Sequence, residues 1–161
     1  MKKSIFRKDR DGNLEINWVC IGAKCNKNCC GHFVDKIPSY VSLENIKHDE
    51  IILLPKEVKK YDSNKLAHHA VNIRGNTYIK LNNSDRSCPF LDRGKCSRYS
   101  LRPALCRAYP FYIDLFSGIN IDLSCPGVGG GWTKVADIKD NLESLVMVYT
   151  KHIKDIKSKY V

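Results

Sequence analysis

Residues 88–111 read CPFLDRGKCSRYSLRPALCRAYPF, and they constrain the chain more than any other segment. Residues 92–95, DRGK, predict a turn between two short extended pieces. Ser100 can cap a short helix that carries Cys106 and ends at Pro110. The segment therefore predicts a compact unit of turns and one short helix that holds three cysteines.

Segments on both sides of this stretch predict short strands and tight turns. Residues 14–21 alternate apolar and polar side chains, which is typical of a strand. Residues 71–81 and 111–124 each predict a hairpin around a bend that contains glycine. Residues 125–131, CPGVGGG, predict a glycine-rich loop. Because the strands are short and joined by tight bends, we expect antiparallel pairing.

The C-terminal segment predicts a long helix over residues 135–158. Apolar side chains recur from Ile138 to Tyr160 at spacings of three and four residues, which places them on one helical face. We expect this face to pack across the core. The whole pattern predicts a small α+β fold in which residues 1–161 form one domain and residues 20–131 form its cysteine-rich core.

The length and composition limit the classes of protein that fit. A chain of 161 residues with 43% hydrophobic residues suits one globular domain. No run of about 18 apolar residues occurs, so no membrane span is predicted. The basic residues at the N-terminus are not followed by the apolar segment of a secretory signal. We therefore predict a cytoplasmic protein.

The chain contains eight cysteines in two groups that are distant in sequence. They are Cys20, Cys25, Cys29 and Cys30 in the first group, and Cys88, Cys96, Cys106 and Cys125 in the second. In a reducing cytosol such a set indicates metal binding rather than disulfides. The adjacent pair Cys29-Cys30 is also hard to bridge without strain. Soft thiolates favour zinc and iron, and a shared metal would join the two groups and staple the fold.

The spacing leaves the metal and the number of centres open. Eight thiolates suit two four-coordinate zinc ions, one 4Fe-4S cubane with spare thiols, or a multinuclear site. The spacing matches neither the paired knuckles of zinc ribbons nor the common ferredoxin runs. His32 is a further candidate ligand, since imidazole binds both metals.

Four strings in the sequence resemble the YkgJ-like cysteine-cluster family of zinc- or iron-chelating domains. They are C-x4-C-x3-CC from Cys20, CPFL from Cys88, GKCSRYSLRPALCRAYP from Gly94, and CPG from Cys125. All eight cysteines fall on cysteine positions of the family, so the resemblance implies a metal site built from them. The spacing from Cys20 to Cys25 is wider than in the family, which leaves the role of Cys20 open.

The resemblance implies less about a reaction. Flagellin lysine N-methylases look like distant relatives with a similar cysteine cluster, which implies an iron–sulfur cluster, S-adenosylmethionine and a peptide or protein substrate. The chain lacks the strand–GxGxxG–helix signature of a dinucleotide-type methyl-donor site. A modifying enzyme and a structural or accessory zinc domain both stay open, and no catalytic residue is assigned.

Three residues beside the cysteines are candidates for contact with a cofactor. Arg102 and Arg107 can donate to cluster sulfurs or bind a carboxylate or phosphate. Tyr99 flanks the same segment, where its ring is expected to pack near the site and limit solvent. The alternative for the two arginines is salt bridging and surface exposure, and the alternative for the Tyr99 phenol is proton or radical chemistry.

The net charge of +10 raises the alternative of a zinc-stapled nucleic-acid binder. The lysines are spread along the whole chain, and no nucleic-acid fingerprint is present. A basic surface also suits acidic partners or plain solubility. Nucleic-acid binding is therefore not expected.

Overall fold

The computed structural model describes residues 5–22, 50–61, 70–73, 75–80, 88–93, 95–114 and 116–160. The strands are β1 (Phe6–Lys8), β2 (Leu14–Trp18), β3 (Glu50–Leu53), β4 (Ala70–Ile73), β5 (Asn76–Lys80), β6 (Leu91–Asp92), β7 (Lys95–Cys96), β8 (Phe111–Asp114), β9 (Gly118–Ile121) and β10 (Val128–Lys134). The helices are α1 (Pro55–Tyr61), α2 (Ala104–Ala108) and α3 (Lys139–Tyr160), and 3-10 turns cover Tyr99–Leu101 and Val135–Ile138.

Every strand pair in the described part of the chain is antiparallel. One sheet has the order β1-β2-β10 and a second has the order β3-β5-β4. Strands β6 and β7 form one hairpin, and β8 and β9 form another. Together with the long C-terminal helix, these pairs confirm the predicted α+β fold of short antiparallel strands. The predicted hairpins over residues 71–81 and 111–124 are β4–β5 and β8–β9.

The glycine-rich segment is part of a strand, so the prediction of a loop over residues 125–131 is wrong for its second half. Strand β10 pairs with β2 at Val128↔Trp18 and then at Trp132↔Asn17, which leaves residues 129–131 as a bulge. Gly129 and Gly131 have φ values of +85° and +151°, where side chains with a Cβ are strained. These two glycines therefore allow the backbone conformation that the bulge requires.

The short helix begins later than the sequence predicts. Ser100 lies inside the 3-10 turn and makes no cap, and α2 begins at Ala104 with Pro103 as its N-cap residue. Arg102 is extended, with φ −53° and ψ 136°, because a residue that precedes proline is pushed away from the helical region. The predicted single helix is thus a turn and a helix separated by Arg102 and Pro103.

Three clusters of buried side chains form the core of the described residues. The first, which we call the sheet cluster, contains Ile51, Leu53, Ile79, Cys88 and Cys106. The second, which we call the helix cluster, contains Ile16, Trp18, Ala108, Phe111, Ile121, Ile138 and Leu145. The third contains Leu54, Ala104 and Val148. Helix α2 contributes one residue to each cluster, so it lies at the centre of the core.

The long helix is confirmed, with α3 and the preceding 3-10 turn covering the predicted range of residues 135–158. It packs against α2 and β8, and Leu145 is completely buried. Near its C-terminal end, Lys151 Nζ donates to Asn76 Oδ1 at 2.6 Å and forms an ion pair with Asp155. This contact fastens the helix to the start of β5. None of the helices that the structure describes has the length and apolar character that a membrane span requires.

Candidate metal centre

Cys88 and Cys106 lie together in the apolar sheet cluster. Their exposed fractions are 5% and 9%, and their neighbours in the cluster are the side chains of Ile51, Leu53 and Ile79. Two sulfurs are therefore held among aliphatic side chains that offer no competing ligand atoms. This is the dry surrounding that a thiolate-bound metal uses to exclude water.

Backbone turns bring Cys88 and Cys96 to the same hairpin. The carbonyl of Cys88 accepts a hydrogen bond from Leu91 N at 2.9 Å, which closes a turn with Pro89 in its second position. Cys96 pairs with Leu91 across β6 and β7. Leu91 and Phe90 pack against the sheet cluster, so half-buried Cys96 lies at the border of the cluster that contains Cys88.

Cys125 lies in a different part of the core. Its N–H donates to the carbonyl of Asp122 at 3.0 Å, and its carbonyl accepts from Val128 N at 3.0 Å, so two consecutive turns hold it. The half-buried side chain packs against the helix cluster. Cys125 thus stands at the entry to β10, whereas Cys88, Cys96 and Cys106 belong to the side of the sheet cluster.

Gly127 explains the glycine of the CPG string. A Cβ at this position would come within 2.3 Å of the carbonyl oxygen of Val19 and within 2.9 Å of Trp18 Nε1. Val19 N also donates to the carbonyl of Gly127 at 3.0 Å. Because the two backbones approach so closely, only glycine fits. The turn after Cys125 is therefore pressed against the end of β2.

Tyr109 connects the sheet cluster with the turn that contains Cys125. Its ring packs against the sheet cluster, and its hydroxyl donates to Asp122 Oδ2 at 3.1 Å. The other carboxylate oxygen of Asp122 accepts from Ser124 N at 2.8 Å, and the Asp122 carbonyl accepts from Cys125 N. One tyrosine and one aspartate thus hold the Cys125 turn in position relative to α2, which carries Cys106.

The remaining predicted ligands divide into one that is described and three that are not. Cys20 is exposed and follows β2 by two residues. Cys25, Cys29 and Cys30 lie outside the described residues, as does His32. In the described ranges, no three histidine, cysteine or acidic side chains are grouped closely enough to hold a metal ion. The ligand set therefore stays a prediction.

The donors that are described fit a soft metal by their chemistry. They are thiols, which bind zinc or iron as thiolates, and two of them are buried beside aliphatic side chains. A buried thiolate needs a nearby positive charge to offset the cost of its burial. A metal cation would supply that charge at Cys88 and Cys106.

Glu57 is a residue of this region that the sequence analysis missed. Its Oε2 accepts from Leu54 N at 2.9 Å at the start of α1, and its Oε1 accepts from Ala104 N at 2.7 Å at the start of α2. One buried carboxylate therefore caps two helices. The available signal was the string Leu54-Pro55-Lys56-Glu57, in which proline begins a helix and glutamate stands at its third position.

Arg107 extends the same network. Its Nε donates to Ser144 Oγ at 2.9 Å, its Nη2 lies 3.4 Å from Glu57 Oε1, and its Nη1 donates to the carbonyl of Arg102. Asn141 Nδ2 donates to the carbonyl of Arg107 at 2.7 Å. These contacts give Arg107 a structural role between α2 and α3. Its contact with a cofactor stays a prediction.

Tyr99 and Arg102 form a pair at the surface. The Arg102 guanidinium lies 3.7 Å from the centre of the Tyr99 ring, and Arg102 Nε donates to the Tyr99 carbonyl at 3.1 Å. Tyr99 is 57% exposed, so its ring is not packed in the described core, and its packing around the site stays a prediction. The 3-10 turn directs this ring outward, and cofactor binding by the pair stays a prediction.

Comparison with known proteins gives one finding. The model of the CxxCxxCC family, described as "Putative zinc- or iron-chelating domain", matches residues 19–126. This range begins one residue before Cys20, ends one residue after Cys125 and covers more than half of the chain. Neither a curated protein nor a solved structure matches the chain. Because the match contains all eight cysteines, the chain belongs to the CxxCxxCC family of zinc- or iron-chelating domains.

Proposed function

We propose that this metal-binding chain holds an iron–sulfur cluster of the 4Fe-4S type on its cysteines, with zinc as the alternative occupant. The observation that supports the proposal is the burial of Cys88 and Cys106 in one apolar cluster, with Cys96 at its border. Bound thiolates there would be shielded from water by Ile51 and Leu53. Such shielding is one of the means by which proteins adjust iron–sulfur potentials.

The number of sulfurs exceeds the four that one tetrahedral zinc ion or one 4Fe-4S cubane takes. A tetrahedral zinc site takes four ligands, and the family match contains eight cysteines. Two zinc ions would also use all eight. The division of the described cysteines between the sheet cluster and the Cys125 turn suits either arrangement, so metal identity is decided by measurement.

The role that fits best is binding and stabilisation, with modification of a peptide or protein as a second role. The second role would require S-adenosylmethionine or a redox partner. Its support is the likeness to flagellin lysine N-methylases. The strand pairs in the described ranges are antiparallel, so these ranges contain no parallel βαβ unit of the kind that binds a nucleotide.

The test is anaerobic purification followed by elemental analysis and an absorption spectrum. A brown protein with broad absorption near about 400 nm and several irons per chain would support the cluster. A colourless protein with one or two zinc ions would replace it with the zinc alternative. A protein that binds neither metal would refute the proposal. Calorimetric titration of the metal-loaded protein with S-adenosylmethionine then tests the second role. Absence of binding heat would exclude S-adenosylmethionine as the cofactor of that role.

A further inference from the structure

Trp18 carries a buried hydrogen-bond donor that the fold does not use. The residue is 6% exposed, and in the part of the chain that the structure describes no acceptor is within hydrogen-bonding distance of its indole Nε1. Buried indole N–H groups usually have a partner, because losing water without a replacement acceptor is costly. The described residues therefore leave this buried donor without an acceptor.

The position of the indole is fixed on several sides. Its ring meets Phe111 edge to face, with centroids 5.2 Å apart and an angle of 73° between the planes. Trp18 also pairs with Val128 across β2 and β10. The N–H edge lies against the turn that follows Cys125, since a Cβ at Gly127 would come within 2.9 Å of Nε1. Rotation of the ring away from this turn would disrupt the packing with Phe111.

Two predicted metal ligands lie next to this edge in the chain. Cys125 precedes Gly127 by two residues and packs against the helix cluster, to which Trp18 belongs. Cys20 follows Trp18 by two residues. A neutral thiol is a weak acceptor, whereas a metal-bound thiolate is anionic and accepts hydrogen bonds well. The acceptor that Trp18 lacks is thus of the kind that metal binding would create.

We propose that the indole N–H of Trp18 donates a hydrogen bond to the sulfur of Cys125 in the metal-loaded protein. The inference rests on the proposed metal centre and adds a positioning residue to it. Donation to a ligand sulfur disperses negative charge from the centre and orients the ligand. It would also supply the acceptor that the buried Trp18 indole lacks among the described residues.

The direct test needs no substitution at Trp18. The ¹⁵N-labelled protein is stripped of metal and then loaded with ¹¹³Cd²⁺, a thiophilic ion that is visible by NMR. The chain has two tryptophans, and a Trp132→Phe variant identifies their two indole resonances. We expect the Trp18 indole proton to move downfield on loading and to show scalar coupling to ¹¹³Cd through the N–H···S bond. The Trp132 indole, whose ring lies 4.0 Å under the Arg7 guanidinium, is expected to stay in place.

Affinity supplies the second measurement. Trp18→Phe retains a ring against Phe111 and removes the donor, and Trp132→Phe is the matched control. We expect Trp18→Phe to weaken cadmium binding at least about tenfold, as loss of a ligand's hydrogen-bond partner typically does, and the control to leave it unchanged. Binding of cadmium with an unmoved, uncoupled Trp18 indole would overturn the hydrogen bond and leave the metal centre standing. Failure of the unmodified protein to bind iron, zinc or cadmium would refute the centre, and this hydrogen bond with it.

Discussion

Replacement of Glu57 is expected to destabilise the fold far more than replacement of an exposed glutamate. In the Glu57→Ala variant, the amides of Leu54 and Ala104 lose their acceptor, and the Arg107 guanidinium loses its ion-pair partner. The Glu57 side chain is 8% exposed, so water does not readily replace the lost carboxylate. Both helix starts are therefore expected to weaken at once, including the start of the helix that carries Cys106.

The size of the stability loss in Glu57→Ala follows from the hydrogen bonds that the variant loses. Loss of a helix cap costs about 1 kcal/mol, and a buried amide without an acceptor costs about 1–3 kcal/mol. Two amides at two helices give a loss of about 2–6 kcal/mol in the free energy of unfolding. For a chain of this length, about 1 kcal/mol corresponds to about 2–4 °C in Tm, so Tm is expected to fall by about 6–12 °C for a 3 kcal/mol loss. Glu57→Gln keeps one amide oxygen and is expected to lose about half as much.

The assay is urea unfolding at neutral pH, followed by circular dichroism, on samples of equal metal content. Glu143→Ala is the matched control, because it also removes one negative charge and breaks an ion pair. The Glu143 carboxylate lies 3.5 Å from Lys139 Nζ and its side chain is 58% exposed, so its loss is expected to cost less than about 1 kcal/mol. If Glu57→Ala and Glu143→Ala unfolded at the same urea concentration, the double cap would contribute nothing and the reasoning would be refuted.

Three further substitutions test other contacts. Gly127→Ala is expected to separate β2 from the Cys125 turn and to lower both Tm and metal affinity. Gly12→Ala is the control, because its φ of +84° strains the backbone and lowers Tm, but no atom lies within 4 Å and metal affinity is expected to stay unchanged. An unchanged metal affinity in Gly127→Ala would contradict the close approach. Cys106→Ser is expected to lower metal content and Tm together, and full metal retention would remove Cys106 from the ligand set. The backbone N–H and hydroxyl of Ser117 hold the pKa of Asp114 below its ordinary value, so this contribution to hairpin stability is present above that value and is lost as pH falls through the lowered pKa. Ser117→Ala is expected to raise the pKa of Asp114 in an NMR titration, and an unmoved pKa would show that the backbone amides suffice.

The features that were predictable from the sequence are those whose signal is local. The spacing of apolar residues from Ile138 to Tyr160 predicts α3, because one helical face must be buried. The bends at Gly75 and Gly118 predict two hairpins, since both residues adopt positive φ. The family strings are local as well, and the match over residues 19–126 confirms the family, whereas the ligand set stays a prediction.

The features that were missed depend on partners distant in the chain. The glycines after Cys125 suggest a loop, and only pairing with β2 turns them into a bulged strand. Glu57 looks like a surface residue of a charged helix, and only its position under α2 makes it a buried double cap. Tyr99 lies beside cysteines in sequence, whereas the turn around it directs its ring to solvent.

The hydrogen bond from Val19 N to the Gly127 carbonyl joins two points more than a hundred residues apart in the chain. Closing a loop of that length has an entropic cost that grows only slowly with length but must be met once. The backbone pairing between β2 and the Cys125 turn offsets this entropic cost of loop closure. Cys20 and Cys125 are therefore confined to the same region, at a high effective concentration, before a metal ion binds. We therefore expect that metal uptake by these two cysteines would need only local ordering, and that the strand pairing would influence how quickly and how tightly they capture a metal ion.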